Sequence, residues 1–301
     1  MIRILSDSVS TSDYSNLENL GIDVVSLSVT YDEKNELDTE MDMKAFNETL
    51  ASRSENLPRS SQPSLLSFEK YFKECAEAGD SVVGVFMSTV LSSTLDNARA
   101  AARNVKSKFK EFECMIVDSF AACGPQLFSL EDANDARQQG KSLSDIAKAA
   151  KEGVLNSRIM FCPEDLNFLV SGGRLSKVSA KVASKLKIFP IITTIDGNAE
   201  AFWKVRSKNK AHDKMFDVFA SDVKDFGLKR VIVQYAGKKG DDLEKFLKRV
   251  KDFVGDIEVK VESVSPVISV HAGPAIGISY ECFSPLKNRV NSTSKQLIYE
   301  I

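Results

Sequence analysis

Nearly continuous apolar runs at Ile2–Ser6, Val24–Thr30, Val82–Met87 and Cys114–Val117 predict strands covered by helices on both faces. Between them the apolar positions change period. Leu65, Phe68, Phe72 and Cys75 recur at helical spacing, as do Leu95, Ala98, Ala102, Val105 and Phe109. Further on, Ile188–Ile195 and Ala201–Val205 flank Asp196-Gly197-Asn198, which predicts a β-hairpin. A helix with Met215, Phe219, Val223 and Phe226 follows, then a strand at Val231–Val233, a helix with Leu243, Phe246, Val250 and Phe253, and a last strand at Ile257–Val261. Alternation of this kind predicts an α/β fold. The change from simple β–α alternation to a hairpin-containing segment puts a domain boundary near Ser157. This gives an N-terminal α/β domain over 1–156, a C-terminal one over 157–283, and a tail over 284–301. The 50–65 segment is a candidate to pack with the second domain.

Composition narrows the function classes. The 301 residues carry 40 basic and 42 acidic side chains, so the formal net charge is −2, and a general nucleic-acid binder is not expected. Cys75, Cys114, Cys123, Cys162 and Cys282 are odd in number, widely spaced and free of Cys-x-x-Cys pairs. Reduced, buried thiols in a cytoplasmic protein are expected, with no metal site. No apolar stretch approaches the ~20 residues that span a bilayer, so membrane contact is at most transient. Phosphate-loop, dinucleotide and nucleophile-elbow motifs are absent, and there are only two histidines, His212 and His271. Asp7 follows the first strand, where a phosphotransfer nucleophile could stand, but no second carboxylate follows two residues on. Capping of the loop is the better reading.

Two hydroxyl clusters stand before helices: Ser60-Ser61-Gln62-Pro63-Ser64 and Leu91-Ser92-Ser93-Thr94. Plain N-capping and the binding of a carboxylate or phosphate at a helix N-terminus are both open readings. Val267–Val270 leads as an apolar strand into His271, which a Gly273-Pro274 turn would hold firmly. Gly172-Gly173 allows a tight turn or a close approach to a ligand. Arg174, Lys177, Lys181 and Lys185 then form a basic stripe, joined by Lys204, Arg206, Lys208 and Lys210, which suits an acidic partner surface.

Taken together, these segments resemble the DegV family of fatty-acid-binding proteins, which includes the acyl-binding subunits of bacterial fatty acid kinase. The landmarks are Asp7-Ser8, Ser60-Ser61-Gln62-Pro63-Ser64, Leu91-Ser92-Ser93-Thr94, Val117-Asp118-Ser119, Gly172-Gly173-Arg174-Leu175-Ser176, Ile195-Asp196-Gly197, Lys204-Val205-Arg206 and His271-Ala272-Gly273-Pro274, in family order. The resemblance implies two α/β domains with a lipid tunnel between them. It implies one bound long-chain, palmitate-like fatty acid, no cofactor, and no nucleophile in the chain itself. Carried over, Ser60 and Ser92 hold the carboxylate, Ser61 and His271 join the network, and Ser93 and Thr94 are neighbours. The resemblance implies that Arg206 belongs to the cavity mouth or to a docking surface for a separate fatty acid kinase; Arg174 and Lys204 are expected to join that surface, and a monomer is expected. Ser60 stands where threonine is common, Ser93 replaces a glycine, and Ala275 replaces the second glycine of Gly-Pro-Gly. The alternative from another class is a free-standing enzyme acting on a small phosphorylated substrate through Asp7, His271 and the basic patch.

Overall fold

The computed structural model describes residues 1–53, 57–175, 188–287, 290 and 296–301. Among these the first sheet has the order β14-β7-β6-β1-β2, formed by β1 (Ile2–Asp7), β2 (Ile22–Val25), β6 (Ser81–Phe86), β7 (Cys114–Asp118) and β14 (Ile298–Glu300). Its strands run parallel except β14, which returns antiparallel to β7. The second sheet has the order β10-β9-β8-β13-β11-β12, from β8 (Ser157–Pro163), β9 (Phe189–Ile195), β10 (Asn198–Val205), β11 (Leu228–Ala236), β12 (Val259–Ser263) and β13 (Ala275–Cys282). A small antiparallel sheet, β4-β3-β5, consists of β3 (Ser28–Tyr31), β4 (Lys34–Leu37) and β5 (Arg59–Ser61).

Side-chain alternation assigns each face of these sheets to a different partner. Leu5, Val82 and Phe86 pack under α3 (Leu65–Glu77) and α4 (Thr94–Lys108). Ile4, Val83 and Val85 face the opposite way, onto α5 (Gly124–Gln138) and α6 (Leu143–Asn156). The second sheet lies on the far side of α5 and α6, which touch β13 as well as β6. Its outer face, including Val231, Val233 and Tyr280, is covered by α8 (Lys208–Phe226) and α9 (Asp241–Val254). The layers therefore run helix, sheet, helix, sheet, helix. The short helices α1 (Tyr14–Asn19), α2 (Met43–Thr49), α7 (Asn167–Ser171) and α10 (Pro266–Ala272) occupy the periphery and the seam.

Several expectations are corrected. The run 24–30 is two strands in different sheets, because the chain breaks at Ser26-Leu27, where the Leu27 N–H donates to Ser8 Oγ at 3.1 Å. Residues 267–270 are helical. Ser265 caps α10 by accepting from Ile268 N, Pro266 occupies the first turn, and Gly273 stops the helix at φ 64°. These three signals outweigh the β-branched residues between them. The strand at 257–261 is shifted to β12 and is followed by β13. Ser60 and Ser61 belong to β5, so the cap of α3 is Ser64, whose hydroxyl accepts from Ser67 N at 3.0 Å. Lys177, Lys181 and Lys185 lie outside the described residues.

The tightest joint in the layers is at the start of α5. A Cβ on Gly124 would stand 2.2 Å from Ser279 Cβ on β13. Gly124→Ala is expected to force α5 off the second sheet and lower the unfolding free energy by about 1–3 kcal/mol, the cost of overpacking. Urea denaturation checks this, and adding Ser279→Gly should recover part of the loss.

Candidate functional site

A cavity of about 380 Å³ opens between the sheets, beyond the N-terminus of α5. It lies where chain connections diverge from β1, to β2 on one side and toward β6 on the other, the place at which open α/β sheets hold ligands. Its walls are mainly apolar, with small residues at several positions. Ala122, Cys123, Ala199, Ala236, Ala275 and Gly277 leave room that larger side chains would fill. Gly277 is dictated by strand packing, since a Cβ there would lie 2.8 Å from Met160 O and 2.9 Å from Phe161 Cβ.

Ser60, Ser61, Ser92 and His271 all line this cavity. Ser60 Oγ and His271 Nε2 are 2.7 Å apart, joining β5 to the end of α10. Ser92 lies in the loop after β6, with its Oγ 2.9 Å from Thr94 Oγ1 and accepting from Thr94 N at 3.3 Å. With Thr94 donating, the Ser92 proton is free for a ligand. Ser93 and Thr94 do not line the cavity. Ser93 is exposed and Thr94 is buried behind Ser92.

Arg174, expected on a partner surface, has a place at the cavity as well. It is half-buried, lines the cavity, and donates from Nε to Leu91 O at 3.3 Å and from Nη1 to Gly172 O. Among the described lining residues it is the sole formal cation. Lys204, on the edge strand β10, and Arg206, just after its end, are exposed and outside the cavity lining. The signal that could have placed Arg174 was the glycine pair. A Cβ on Gly172 would lie 2.5 Å from His271 Nδ1, so the missing side chain lets this turn close on the imidazole. Thr194 and Gln234 also line the cavity and went unread, because isolated polar residues within strands carry no spacing pattern.

The polar atoms around the cavity fix its electrostatics. His271 is half-buried, and its buried Nδ1 has no partner among the described residues. Burial, reinforced by the nearby Arg174 charge, pulls its pKa down to about 4, so the ring is neutral near pH 7. Asp7 is fully buried behind the cavity, where it accepts from Val9 N at 3.2 Å, Met87 N at 2.8 Å and Gln126 Nε2 at 2.9 Å. Burial raises its pKa to about 6 against those bonds. Its acceptor capacity is used to hold the loops after β1 and β6. Asp118 does the same for Thr89 and Phe120.

The fold and site define a layered α/β protein with an apolar cavity, whose described wall is rich in hydroxyls and carries one cation. Comparison gives the family. The DegV family model matches residues 1–282, and the chain belongs to that family. A DegV domain-containing protein of Clostridium acetobutylicum is 31% identical over 280 residues, covering 93% of this chain and 97% of its own. The crystal structure of DegV, a fatty acid binding protein from Bacillus subtilis, superposes with a TM-score of 0.83 at 27% identity, over 93% of this chain and 99% of that one. A DegV family protein from Thermus thermophilus, described for its fatty acid binding, gives 0.81 at 26% identity, with the same coverage. The fold is thus the α/β architecture that the resemblance implied.

The depressed His271 pKa has a stability consequence. As pH falls from about 6.5 to 4, the unfolded chain takes up a proton that the folded chain does not, so this contribution to stability is lost over that window. Relative to His271→Gln, the parent should lose up to about 3 kcal/mol between those limits. Paired denaturation curves at several pH values check the difference, because the buried carboxyl groups common to both proteins cancel.

Proposed function

We propose that this chain binds one long-chain fatty acid between its two α/β domains, 1–156 and 157–283, and presents the carboxylate to a separate fatty acid kinase. The observation that carries the reading is the pairing of an apolar cavity with Ser60, Ser92, His271 and Arg174 on its wall. Each buried methylene of an acyl chain contributes up to about 0.8 kcal/mol before ordering costs. The carboxylate cannot leave water without donors, and hydroxyls and a guanidinium supply them. The described relatives that bind fatty acids support the same ligand class.

The free-standing enzyme reading has less support. Asp7 is spent on backbone and amide donors and lies outside the cavity lining, and His271 is neutral. Among the described lining residues there is one guanidinium, a weak match for a phosphate dianion. The chain in this proposal therefore binds and positions, and the kinase performs the chemistry. Five buried free thiols suit the reducing cytoplasm. No described helix is long and apolar enough to cross a membrane.

Mass spectrometry of protein purified under native conditions should find one C14–C18 fatty acid per chain. Its absence, with no palmitate uptake by delipidated protein, overturns the proposal. Ser92→Ala should weaken palmitate binding by about 1.5–3 kcal/mol through loss of a charge-assisted hydrogen bond, as read by competition with a fluorescent fatty acid. Charge reversal at Lys204 and Arg206 separates binding from docking. Those variants should retain lipid and lose kinase turnover, whereas Arg174→Glu should lose lipid as well.

A further inference from the structure

Ser60 and His271 reach each other from parts of the chain 211 residues apart. Their 2.7 Å contact depends on how β5 and α10 are mounted. Ser60 is carried by the pairing of β5 with β3, in which it lies opposite Val29. The chain enters β3 through Leu27. His271 is carried by α10, whose first turn begins at Pro266.

Asp38 touches both mountings, and its side chain is fully buried. Its Oδ1 accepts from Val267 N at 3.0 Å, in the first turn of α10. Its Oδ2 accepts from Ser8 Oγ at 2.8 Å, and that same hydroxyl oxygen accepts from Leu27 N at 3.1 Å. Its backbone N–H donates to Leu27 O at 2.9 Å. The contacts close a ring: Asp38 to α10, α10 to His271, His271 to Ser60, Ser60 through β5 and β3 to Leu27, and Leu27 back to Asp38. A carboxylate taken out of water and spent on these donors holds two separate elements in one register.

We propose that Asp38 is the positioning residue of the Ser60–His271 pair, setting the distance between the imidazole and the hydroxyl by holding the first turn of α10 against the strand entry at Leu27. The proposal rests on the reading of that pair as part of the fatty-acid carboxylate site. Asp38 does not line the cavity and touches no ligand there. It acts through the two residues that do.

The test is Asp38→Ala, with Asp38→Asn as the conservative variant, since the amide oxygen can still accept from Val267 N. Two readouts are taken on the full chain: the ¹⁵N signals of the His271 ring, and palmitate affinity. In Asp38→Ala the His271 signature of the Ser60 hydrogen bond should vanish and affinity should fall about tenfold, the loss of roughly one buried hydrogen bond to a charged group. Asp38→Asn should restore most of both. Asp222→Ala is the control for general destabilisation. Asp222 is paired with Arg158 and Tyr280 behind the second sheet, so its loss should lower the melting temperature and leave both readouts unchanged. If Asp38→Ala does not fold, Ser8→Ala removes the side-chain link between Asp38 and Leu27, leaving only their backbone bond, and should disturb the His271 signal in the same direction. An unchanged ring signal and unchanged affinity in a folded Asp38 or Ser8 variant overturn the proposal. Parent protein that binds no palmitate while its His271 signal still responds to Asp38→Ala refutes the ligand and leaves the positioning role standing.

Discussion

The structure depends on one helix, α5, whose first two turns have no solvent face to spare. α5 packs against β1 and β6 of the first sheet and against β8 and β13 of the second. Leu127, Phe128, Leu130, Ala133 and Ala136 are buried around its circumference, and Ser129 Oγ donates to Ala150 O at 2.7 Å to bind it to α6. Glu131 and Asp132 project from it to Arg230 and Lys229 of β11, and Arg230 and Lys229 in turn pair with the buried Glu281. A shared wall of this kind makes the two halves one packed body. It also fixes where they part, because the cavity begins where the helix does.

The start of that helix shows how the space is kept open. Ala122 and Cys123 are small, and Cys123 takes φ 57°, a left-handed backbone that few side chains tolerate. Gly124 then lets the helix touch Ser279 directly. Close contact on one side of this turn and empty volume on the other come from the same few small residues. Outside the cavity lining the seam is polar, and the groups named next are satisfied. Thr11 Oγ1 donates to Glu262, Asn47 Nδ2 donates to Ser263 Oγ, and Ser88 Oγ donates to Gly197 O at the tip of the β9–β10 hairpin. A Cβ on Gly197 would lie 2.4 Å from Ser88 Oγ, so the hairpin reaches the first sheet's loop only because its tip is a glycine.

Polar side chains divide accordingly into those that hold loops and those left open to the cavity. Asp7 and Asp118 end β1 and β7 and spend their oxygens on Met87, Thr89 and Phe120, which stabilises the loop that delivers Leu91 and Ser92. The Ser92 hydroxyl lines the cavity and is bonded only within its own loop, to Thr94, while the buried His271 Nδ1 faces the Gly172 turn without a partner among the described residues. The division follows from desolvation: a buried carboxylate must be met by several donors, whereas a hydroxyl or neutral imidazole tolerates a vacant partner at lower cost.

Sequence by itself determined the elements whose burial is one-sided or repetitive. The stripes of α3, α4, α8 and α9 and the apolar runs of β1, β6 and β7 are legible because each apolar face has a single period. The hydroxyl motifs, the glycine pair and His271 were legible as an ordered set of landmarks, and the cavity gathers Ser60, Ser61, Ser92 and His271 from it. Local pattern could not describe α5, since a helix whose first two turns are buried all round shows no stripe there. Nor could it divide the 24–30 run between two sheets, because that break depends on Ser8, eighteen residues or more upstream. The helical state of 266–272 was written in Ser265, Pro266 and Gly273 but masked by the β-branched residues between them. Arg174 read as surface because a cation in a basic run is ordinarily solvated. Only the fold, by laying Leu91 O and Gly172 O within its reach, turned it toward the cavity, and such long-range backbone acceptors leave no mark on the spacing of residues along the chain.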